Sequence, residues 1–380
     1  MPHHLKPGRR PDGGPRKAGA VPARRVLVLL PALVVTWLAT APASAAAFGT
    51  IDGGGQHREH ERITRAALAC TGDAGDRSAC FEPRSADYLA GHDHAFGAVG
   101  APDSDEMTDP AAHCDGADFI AGDYPRTREA ATEALRDCVT QMRTRLREAV
   151  DRAARLLDDE GVVIADEVDL GTECSAQERT DERAKCASLG AFGRVLHGVQ
   201  DFYSHSNWSD EADPSRPVGE QNPPGLNHQG VSPVLDLRAR TEPDVPENLT
   251  TGCYVVQDRV PGVGPCQSRV THAALNKDRG LIDPATGKTA GPTTPRGAVG
   301  GNFAKAVAGA VADSRRQWRD LRQELTARYG RDRGARMACA LSHDDPVTDC
   351  RPARAGRVAV IILTGAAILA VAMVVRRRTD

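Results

Sequence analysis

The 380-residue chain contains no Cys-x-x-Cys pair, no internal repeat and few segments in which polar and apolar residues alternate. Without Cys-x-x-Cys pairs, the ten cysteines are not typical of a thiolate metal site. Because strand-like alternation is scarce, the sequence predicts a mainly α-helical protein. An excess of positive charge is also lacking, since residues 48–356 carry 37 basic and 49 acidic side chains, a net charge of −12. That balance disfavours non-specific binding to nucleic acid or to anionic lipid.

The N-terminal segment has the pattern of a secretory signal. Residues 1–25 are polar and basic, residues 26–41 form an apolar run, and Ala43-Ser44-Ala45 offers small residues to a signal peptidase. The sequence therefore predicts a signal peptide over residues 1–47 and export of the body of the protein.

The C-terminal segment has the pattern of a membrane anchor. Residues 358–375 form an uncharged apolar run, and three arginines come directly after it. Such a run is long enough to span a bilayer, and arginines prefer its cytoplasmic side. We therefore expect a transmembrane helix over 357–376, a cytoplasmic tail over 377–380, and a single-pass protein whose body lies outside the cell membrane.

The cysteines all lie between these two apolar segments. An even number of cysteines in an exported region predicts disulfides. Successive pairs along the chain are separated by 10, 24, 12, 13 and 11 residues, which favours five local bridges. The predicted pairs are Cys70–Cys80, Cys114–Cys138, Cys174–Cys186, Cys253–Cys266 and Cys339–Cys350.

Apolar residues recur every three or four positions in several segments of the body, a spacing typical of amphipathic helices. The predicted helices cover residues 60–69, 131–157, 181–207 and 302–327. Strand-like alternation is clearest in "CYVVQDRV". The connections over 209–245 and 278–301 are unusually long for a compact domain. We therefore expect them to line a site or to be held by a disulfide. We expect one helical metal-binding domain over 48–329 and a linker over 330–356 that contains the last bridge.

The string "HGVQDFYSHSNW" places three metal-ligand side chains at four-residue intervals. On a helix His197, Asp201 and His205 fall within an arc of roughly 80°. Burying them unpaired would be costly, so they are predicted either to bind a metal or to form a hydrogen-bonded cluster. The neighbouring aromatic residues Phe202, Tyr203 and Trp208 are expected to pack in the core or to form a wall against substrate.

Other histidines also stand close to acidic residues. His60 lies in "EHERIT", Asp103 and His113 lie in "PDSDEMTDPAAHCD", and His272 lies in "THAALNKD". Zinc and similar ions take imidazole nitrogen and carboxylate oxygen as ligands. These four residues are therefore further candidate ligands, and Asp103 is also the candidate to hold a catalytic water.

The strings "LHGVQDFYSHSNW", "EHERITRAAL", "PDSDE…HCD" and "NLTTG…C…HAALNKD" together resemble the Het-C (heterokaryon incompatibility) family. That family is itself distantly similar to bacterial zinc phospholipases C and to fungal single-strand nucleases. The resemblance spans about residues 48–325, and its most specific part is His-x-x-x-Asp-Phe-Tyr-Ser-His-Ser-Asn-Trp.

This resemblance implies a helical phospholipase-C/nuclease-like fold that holds zinc ions and hydrolyses phosphodiesters. It places one ion between Asp103, His113, His197 and Asp201, shares Asp201 with a second ion at His60, and assigns His205 to a third. Where the relatives have a carboxylate four residues after the downstream histidine, His272 is followed by Asn276. The number of ions is thus left open between one and three.

Two functions are the alternatives. The first is an extracytoplasmic metal-dependent phosphodiester hydrolase, tethered to its own membrane and acting on a phospholipid or another phosphodiester. The second is a non-catalytic, metal-stabilised surface module of the Het-C type that binds a partner. They differ in coordination, because a structural ion is enclosed by protein ligands whereas a catalytic ion keeps a position open to water.

Overall fold

The computed structural model describes residues 48–71, 79–93, 95–171, 174, 183–254 and 266–351. The predicted signal peptide, membrane anchor and cytoplasmic tail lie outside these residues, as does most of "CYVVQDRV". Within the described ranges, no helix combines the length and the apolar character that a membrane span requires.

About half of the described residues are helical, which confirms the predicted mainly α-helical fold. The helices are α1 (Glu59–Leu68), α2 (Pro83–Ala90), α3 (Pro102–Asp105), α4 (Arg128–Ala153), α5 (Ala165–Val168), α6 (Ala184–His205), α7 (His272–Leu275), α8 (Pro295–Ala298), α9 (Asn302–Tyr329), α10 (Arg331–Ser342) and α11 (Pro346–Asp349). The strands form three antiparallel two-residue pairs: β1 (Asp52–Gly53) with β2 (Gln56–His57), β3 (Gly91–His92) with β4 (Ala95–Phe96), and β5 (Leu281–Ile282) with β6 (Thr289–Ala290).

Helix α6 lies at the centre of the fold, between α4 and α9. All of its residues except Gly190 are buried. A helix that is apolar around most of its circumference belongs inside a protein rather than on its surface. The amphipathic helices α4 and α9 cover it with apolar faces that include Leu135, Met142, Val307 and Leu321. Polar side chains of α6 are therefore held in a water-poor interior.

The four predicted helices agree with the observed ones to within a few residues at each end. Helix α4 begins early because the Thr127 hydroxyl accepts a hydrogen bond from the Ala130 N–H, which caps the first turn. It ends in a 3₁₀ turn over Ala154–Leu156. Helix α9 continues to Tyr329 and ends at Gly330, whose φ of 82° suits glycine.

The described part of the predicted linker over residues 330–356 is helical for most of its length. Residues 331–342 form α10, and Met337 and Leu341 on its inner face are fully buried. Helix α10 packs along α9, so the hydrophobic effect holds this segment in the helical body. All five predicted disulfides are present, and Cys339–Cys350 closes the end of this segment.

Candidate metal centre

The first cluster consists of His60, Asp103, His113, His197 and Asp201, which come from α1, α3, the loop after α3, and α6. Asp201 lies at its centre. One carboxylate oxygen, Oδ1, is 3.2 Å from His60 Nε2, whereas Oδ2 is 3.1 Å from His113 Nδ1 and 3.0 Å from His197 Nε2. Asp103 Oδ1 lies 3.7 Å from His197 Nε2 and 3.9 Å from His113 Nδ1. Only Asp103 is appreciably exposed, at 17% of its side chain.

Two of these imidazoles are oriented by hydrogen bonds on the side facing away from Asp201. His197 Nδ1 donates to the Val99 carbonyl oxygen at 2.8 Å, and His60 Nδ1 donates to Gln200 Oε1 at 2.8 Å. With the proton on Nδ1, each Nε2 presents a lone pair to the Asp201 carboxylate. Lone pairs facing a buried carboxylate repel it unless a proton or a cation lies between them. Ligating histidines commonly have their second nitrogen held in this way.

A close approach of backbone to α6 makes the Val99 contact possible. Gly193 lies one turn before His197, and a Cβ atom there would be 2.4 Å from the carbonyl carbon of Ala98. Real Cβ atoms do not come that close, so a glycine is needed for the 3₁₀ turn Ala98–Gly100 to pack against α6. The packing brings the Val99 carbonyl to His197.

The second cluster consists of Asp115, His205, His272 and Asp278. Asp115 Oδ2 is 3.2 Å from His205 Nδ1 and 3.4 Å from His272 Nδ1. Asp278 faces the opposite nitrogens, with its Oδ1 3.4 Å from His205 Nε2 and its Oδ2 3.9 Å from His272 Nε2. The three ligand atoms on the Asp115 side lie within 4.8 Å of one another and can hold a metal ion. Asp278 is then positioned to orient both imidazole rings.

The segment that carries Asp278 is fixed by buried hydrogen bonds. The Ser204 hydroxyl on α6 donates to Asp278 Oδ1 at 2.6 Å, and the Gly280 N–H donates to Glu59 Oε1 at 3.1 Å. Burial raises the pKa of Glu59 to about 7. Asp278 is thereby tied both to α6 and to the beginning of α1, next to His60.

Many polar atoms of the two clusters have no hydrogen-bond partner in the described structure, although such atoms are rare in protein interiors. Among the twenty buried side-chain atoms without a partner, ten belong to these clusters. They are His60 Nε2, His113 Nε2, Asp115 Oδ1 and Oδ2, Asp201 Oδ1, both ring nitrogens of His205 and of His272, and Asp278 Oδ2. Unsatisfied nitrogen and oxygen lone pairs that converge in a dry interior fit a bound cation.

Electrostatics keeps the carboxylates in the ionised form that a metal requires. Burial opposes the charge of Asp201, yet His197 and His60 hold its pKa well below the usual range. Burial and the charge of His205 oppose protonation of His272, yet Asp115 and Asp278 raise its pKa to about 9. Burial likewise opposes protonation of His60, His113 and His205, yet the neighbouring carboxylates raise the pKa values of all three.

A cavity of about 750 Å³ reaches the second cluster at Asp115. Tyr254 also lines it, and the Tyr254 ring stacks 5.5 Å from His113 and 6.5 Å from His272, centroid to centroid. Arg126 and Arg269 lie in the same wall. A volume of this size suits a small-molecule ligand, and among the cluster residues only Asp115 lines it.

The disulfide Cys114–Cys138 holds one side of both clusters. Cys114 lies between His113 and Asp115, and the bridge joins this short segment to α4. Cys114 itself is fully buried with a φ of 52°. One covalent link therefore positions a ligand of each cluster.

Every residue predicted from sequence to bind a metal is described, and the fold divides the set between the two clusters. His60, Asp103, His113, His197 and Asp201 meet in the first, whereas His205 and His272 meet in the second. Sequence reasoning missed Asp115 and Asp278 as members and did not consider Tyr254. Asp115 follows His113 by two residues and Asp278 follows His272 by six, so their nearness in sequence was the available signal.

The aromatic residues beside the motif belong to the core rather than to a substrate wall. Phe202 and Tyr203 are fully buried and Trp208 is 5% exposed, while the Tyr203 hydroxyl donates to Asp313 Oδ2 at 2.8 Å. A further group, Cys339, His343 and Cys350, has metal-like spacing. Its two sulfurs are joined in a disulfide, so they are not thiolate ligands.

Comparisons of the chain with protein-family models, with curated proteins and with solved structures find no match. Function is therefore inferred from the structure, in which several groups of histidine and aspartate residues could hold a metal ion.

Proposed function

We propose that this protein is an extracytoplasmic, zinc-dependent phosphodiester hydrolase that resembles phospholipase C. One observation carries the proposal: two buried histidine–carboxylate clusters share helix α6, and a cavity reaches one of them at Asp115. The five disulfides support an oxidising, exported location.

The ligand atoms favour zinc and limit the number of ions. Imidazole nitrogens with carboxylate oxygens are a common zinc donor set, and the Irving–Williams order makes zinc a strong competitor for it. Asp201 directs one oxygen to His60 and the other to His113 and His197, which suits a carboxylate shared by two ions. Asp115, His205 and His272 suit one more. The proposal therefore allows up to three ions.

Asp103 is the residue assigned to catalysis. Its carboxylate borders the first cluster, is the most exposed group there, and has its Oδ2 fixed by the Thr50 hydroxyl. From that position Asp103 can orient a water molecule and accept its proton. Bound zinc ions supply the remaining chemistry, because they lower the pKa of a bound water and stabilise negative charge on a phosphodiester.

The wall of the cavity contains charges of both signs. Arg126 and Arg269 bond to the buried carboxylate of Asp118, at 2.9 Å and 2.6 Å, and are the cationic groups available to a phosphate, while Asp109, Asp115 and Asp137 also line the cavity. The Tyr254 hydroxyl donates to the Met107 carbonyl oxygen, which fixes the ring between the two clusters. A phosphodiester of phospholipid-headgroup size is the substrate class we propose. The net charge of −12 disfavours long nucleic acid.

One observation favours the second candidate, a metal-stabilised binding module of the Het-C type. All four residues of the second cluster are at most 2% exposed at their side chains. An ion enclosed so completely resembles a structural site more than a catalytic one. In that case the ions would join α1, α6 and the Asp278 segment, and no substrate would be turned over.

The two candidates are separated by an Asp103→Asn substitution in the full-length protein in detergent. Bound metal per chain and hydrolysis of p-nitrophenylphosphorylcholine and bis-p-nitrophenyl phosphate are measured for wild type, Asp103→Asn and Asp201→Asn. We expect wild type to hold two or more zinc ions. Asp103→Asn should retain two or more of them, because Asp201, the histidines and the second cluster are unchanged, but should lose about 100-fold or more in kcat, the contribution of a general base. Asp201→Asn should lose both metal and turnover.

The structural module predicts a different result. Wild type would then hold zinc without hydrolysing either substrate, and Asp103→Asn would change nothing. Absence of bound metal from wild type would refute both candidates and would leave the two clusters as buried ion pairs.

A further inference from the structure

A second cavity, of about 530 Å³, lies between α4, α9 and the loop over residues 237–240. It shares no lining residue with the cavity beside Asp115. Its charged lining residues, which define the arginine cavity, are Arg143, Arg147, Arg238, Arg240, Arg328 and Glu324. Five arginines and one acid form a local concentration of positive charge on a body whose net charge is −12.

Only two of the five arginines are neutralised by carboxylates in the part of the chain that the structure describes. Arg238 pairs with Glu324, and Arg328 pairs with Asp151. The other three guanidinium groups carry positive charge without an acidic partner within ion-pair distance among the described residues. Such a group attracts anions, and a concave site concentrates its field.

The three guanidinium groups without an acidic partner among the described residues make few other hydrogen bonds. Arg143 donates to the backbone carbonyl oxygens of Asp236, at 3.2 Å, and Thr241, at 3.0 Å, and its buried Nε has no hydrogen-bond partner. Arg147 donates to the Thr144 hydroxyl at 2.9 Å. Each guanidinium has five N–H donors, so most of them remain available to a ligand.

The arginine cavity stands on rigid elements. Leu146 and Val150 of α4 and Leu237 of the loop lie beneath the arginines and are buried. Arg143 and Arg147 are one turn apart on α4, and Arg328 comes from the last turn of α9. The packed helices fix the backbone positions of these three arginines, so ligand binding has to order only their side chains.

We propose that the arginine cavity binds a phosphoryl group. Guanidinium forks bind phosphate oxygens through paired, charge-assisted hydrogen bonds, and the one to two negative charges of a phosphoryl group offset part of the charge of three guanidinium ions. The group belongs either to a soluble phosphate compound or to the headgroup of an anionic phospholipid. This site does not depend on the histidine clusters or on the proposed hydrolase activity.

The test is isothermal titration of the full-length protein in detergent with inorganic pyrophosphate and, separately, with dihexanoylphosphatidylglycerol. Dihexanoylphosphatidylcholine, which has no net charge, is titrated as the comparison lipid. The test variant is Arg147→Gln/Arg240→Gln, because both side chains are exposed and their removal leaves the core intact. The control is Arg216→Gln/Lys288→Gln, which removes the same charge from positions that do not line the cavity.

We expect one anion to bind per chain and the test variant to bind it roughly 10-fold more weakly or worse, since two charge-assisted hydrogen-bonding groups are lost. The control variant should bind as wild type does. Binding of pyrophosphate would identify a soluble source, and binding of the phosphatidylglycerol alone would identify a lipid source. The proposal is overturned if neither anion binds, if the test variant binds as well as wild type, or if both variants lose equally.

Discussion

The substitution Asp201→Asn tests the central carboxylate of the first cluster. Asp201 is fully buried, and its two oxygens contact His60, His113 and His197. Asparagine has nearly the same shape, so the packing of α6 should survive. The substitution removes the negative charge that three imidazoles share, and with it the carboxylate ligand common to the first cluster.

The size of the effect comes from linkage between metal binding and folding. An ion present at about 1,000 times its dissociation constant stabilises the folded state by about 4 kcal/mol. For a domain of about 300 residues, with an unfolding entropy of about 2.1 cal/mol/K per residue, one kcal/mol corresponds to a shift of about 1.5–2 °C in Tm. Losing a single ion from the first cluster should therefore lower Tm by roughly 6–8 °C.

Differential scanning fluorimetry of the full-length protein, with and without a chelator, measures this difference. Asp313→Asn is a matched control, because Asp313 is also a fully buried carboxylate but bonds to Tyr203, Arg316 and Gln317 instead of to a cluster histidine. The chelator should lower the Tm of wild type and of the control. The Tm of Asp201→Asn should be lower than that of wild type before chelation, and the chelator should lower it by a smaller amount.

Elemental analysis of the same samples supplies the second readout, and the metal content of Asp201→Asn should fall by at least one ion per chain. The reasoning would be refuted if wild type and Asp201→Asn contained the same amount of metal and responded equally to the chelator. Asp201 would then be a charge balanced by protonated histidines alone.

Three further predictions concern the supports of the site. Replacing both Cys114 and Cys138 by alanine opens a bridge across 24 residues, which should lower the free energy of unfolding by about 3 kcal/mol. Metal content should fall with it, and an unchanged denaturation midpoint would contradict this. Gly193→Ala should separate the Val99 carbonyl from α6 and weaken metal retention in a chelator competition, whereas a crystal structure with that contact intact would refute the steric reasoning. Burial lowers the pKa of Lys185 to about 7, so its contribution to stability is present above the ordinary pKa near 10.5 and is lost as pH falls through 7. The free energy of unfolding of wild type, measured by urea denaturation, should therefore rise by about 2–3 kcal/mol between pH 7 and pH 9 relative to that of Lys185→Met. If the two proteins gave parallel pH profiles, this prediction would be wrong.

Local sequence patterns were sufficient for the helices and the disulfides. The spacing of apolar residues predicts α4 and α9 because an amphipathic helix must turn one face to the core, and that requirement is visible in a single segment. Short separations between successive cysteines favoured the five observed bridges for a similar reason, since each closes a local loop. The helix over residues 331–342 has no such local signal, because its apolar residues gain their role from contact with α9.

Within the site, helical geometry aligns residues four apart, so the spacing of His197, Asp201 and His205 was enough to place them on one side of α6. The resemblance assigned His205 to a separate ion, but which residues surround His205 follows from the tertiary structure alone. Asp115 and Asp278 approach His205 from loops, and loop positions depend on long-range packing rather than on local spacing. The same holds for the arginine cavity, whose charges come from α4, α9 and the loop over 237–240 and form no pattern in any one of these segments. Both sites are formed by contacts between residues that are distant in sequence, and such contacts cannot be inferred from any single segment of the chain.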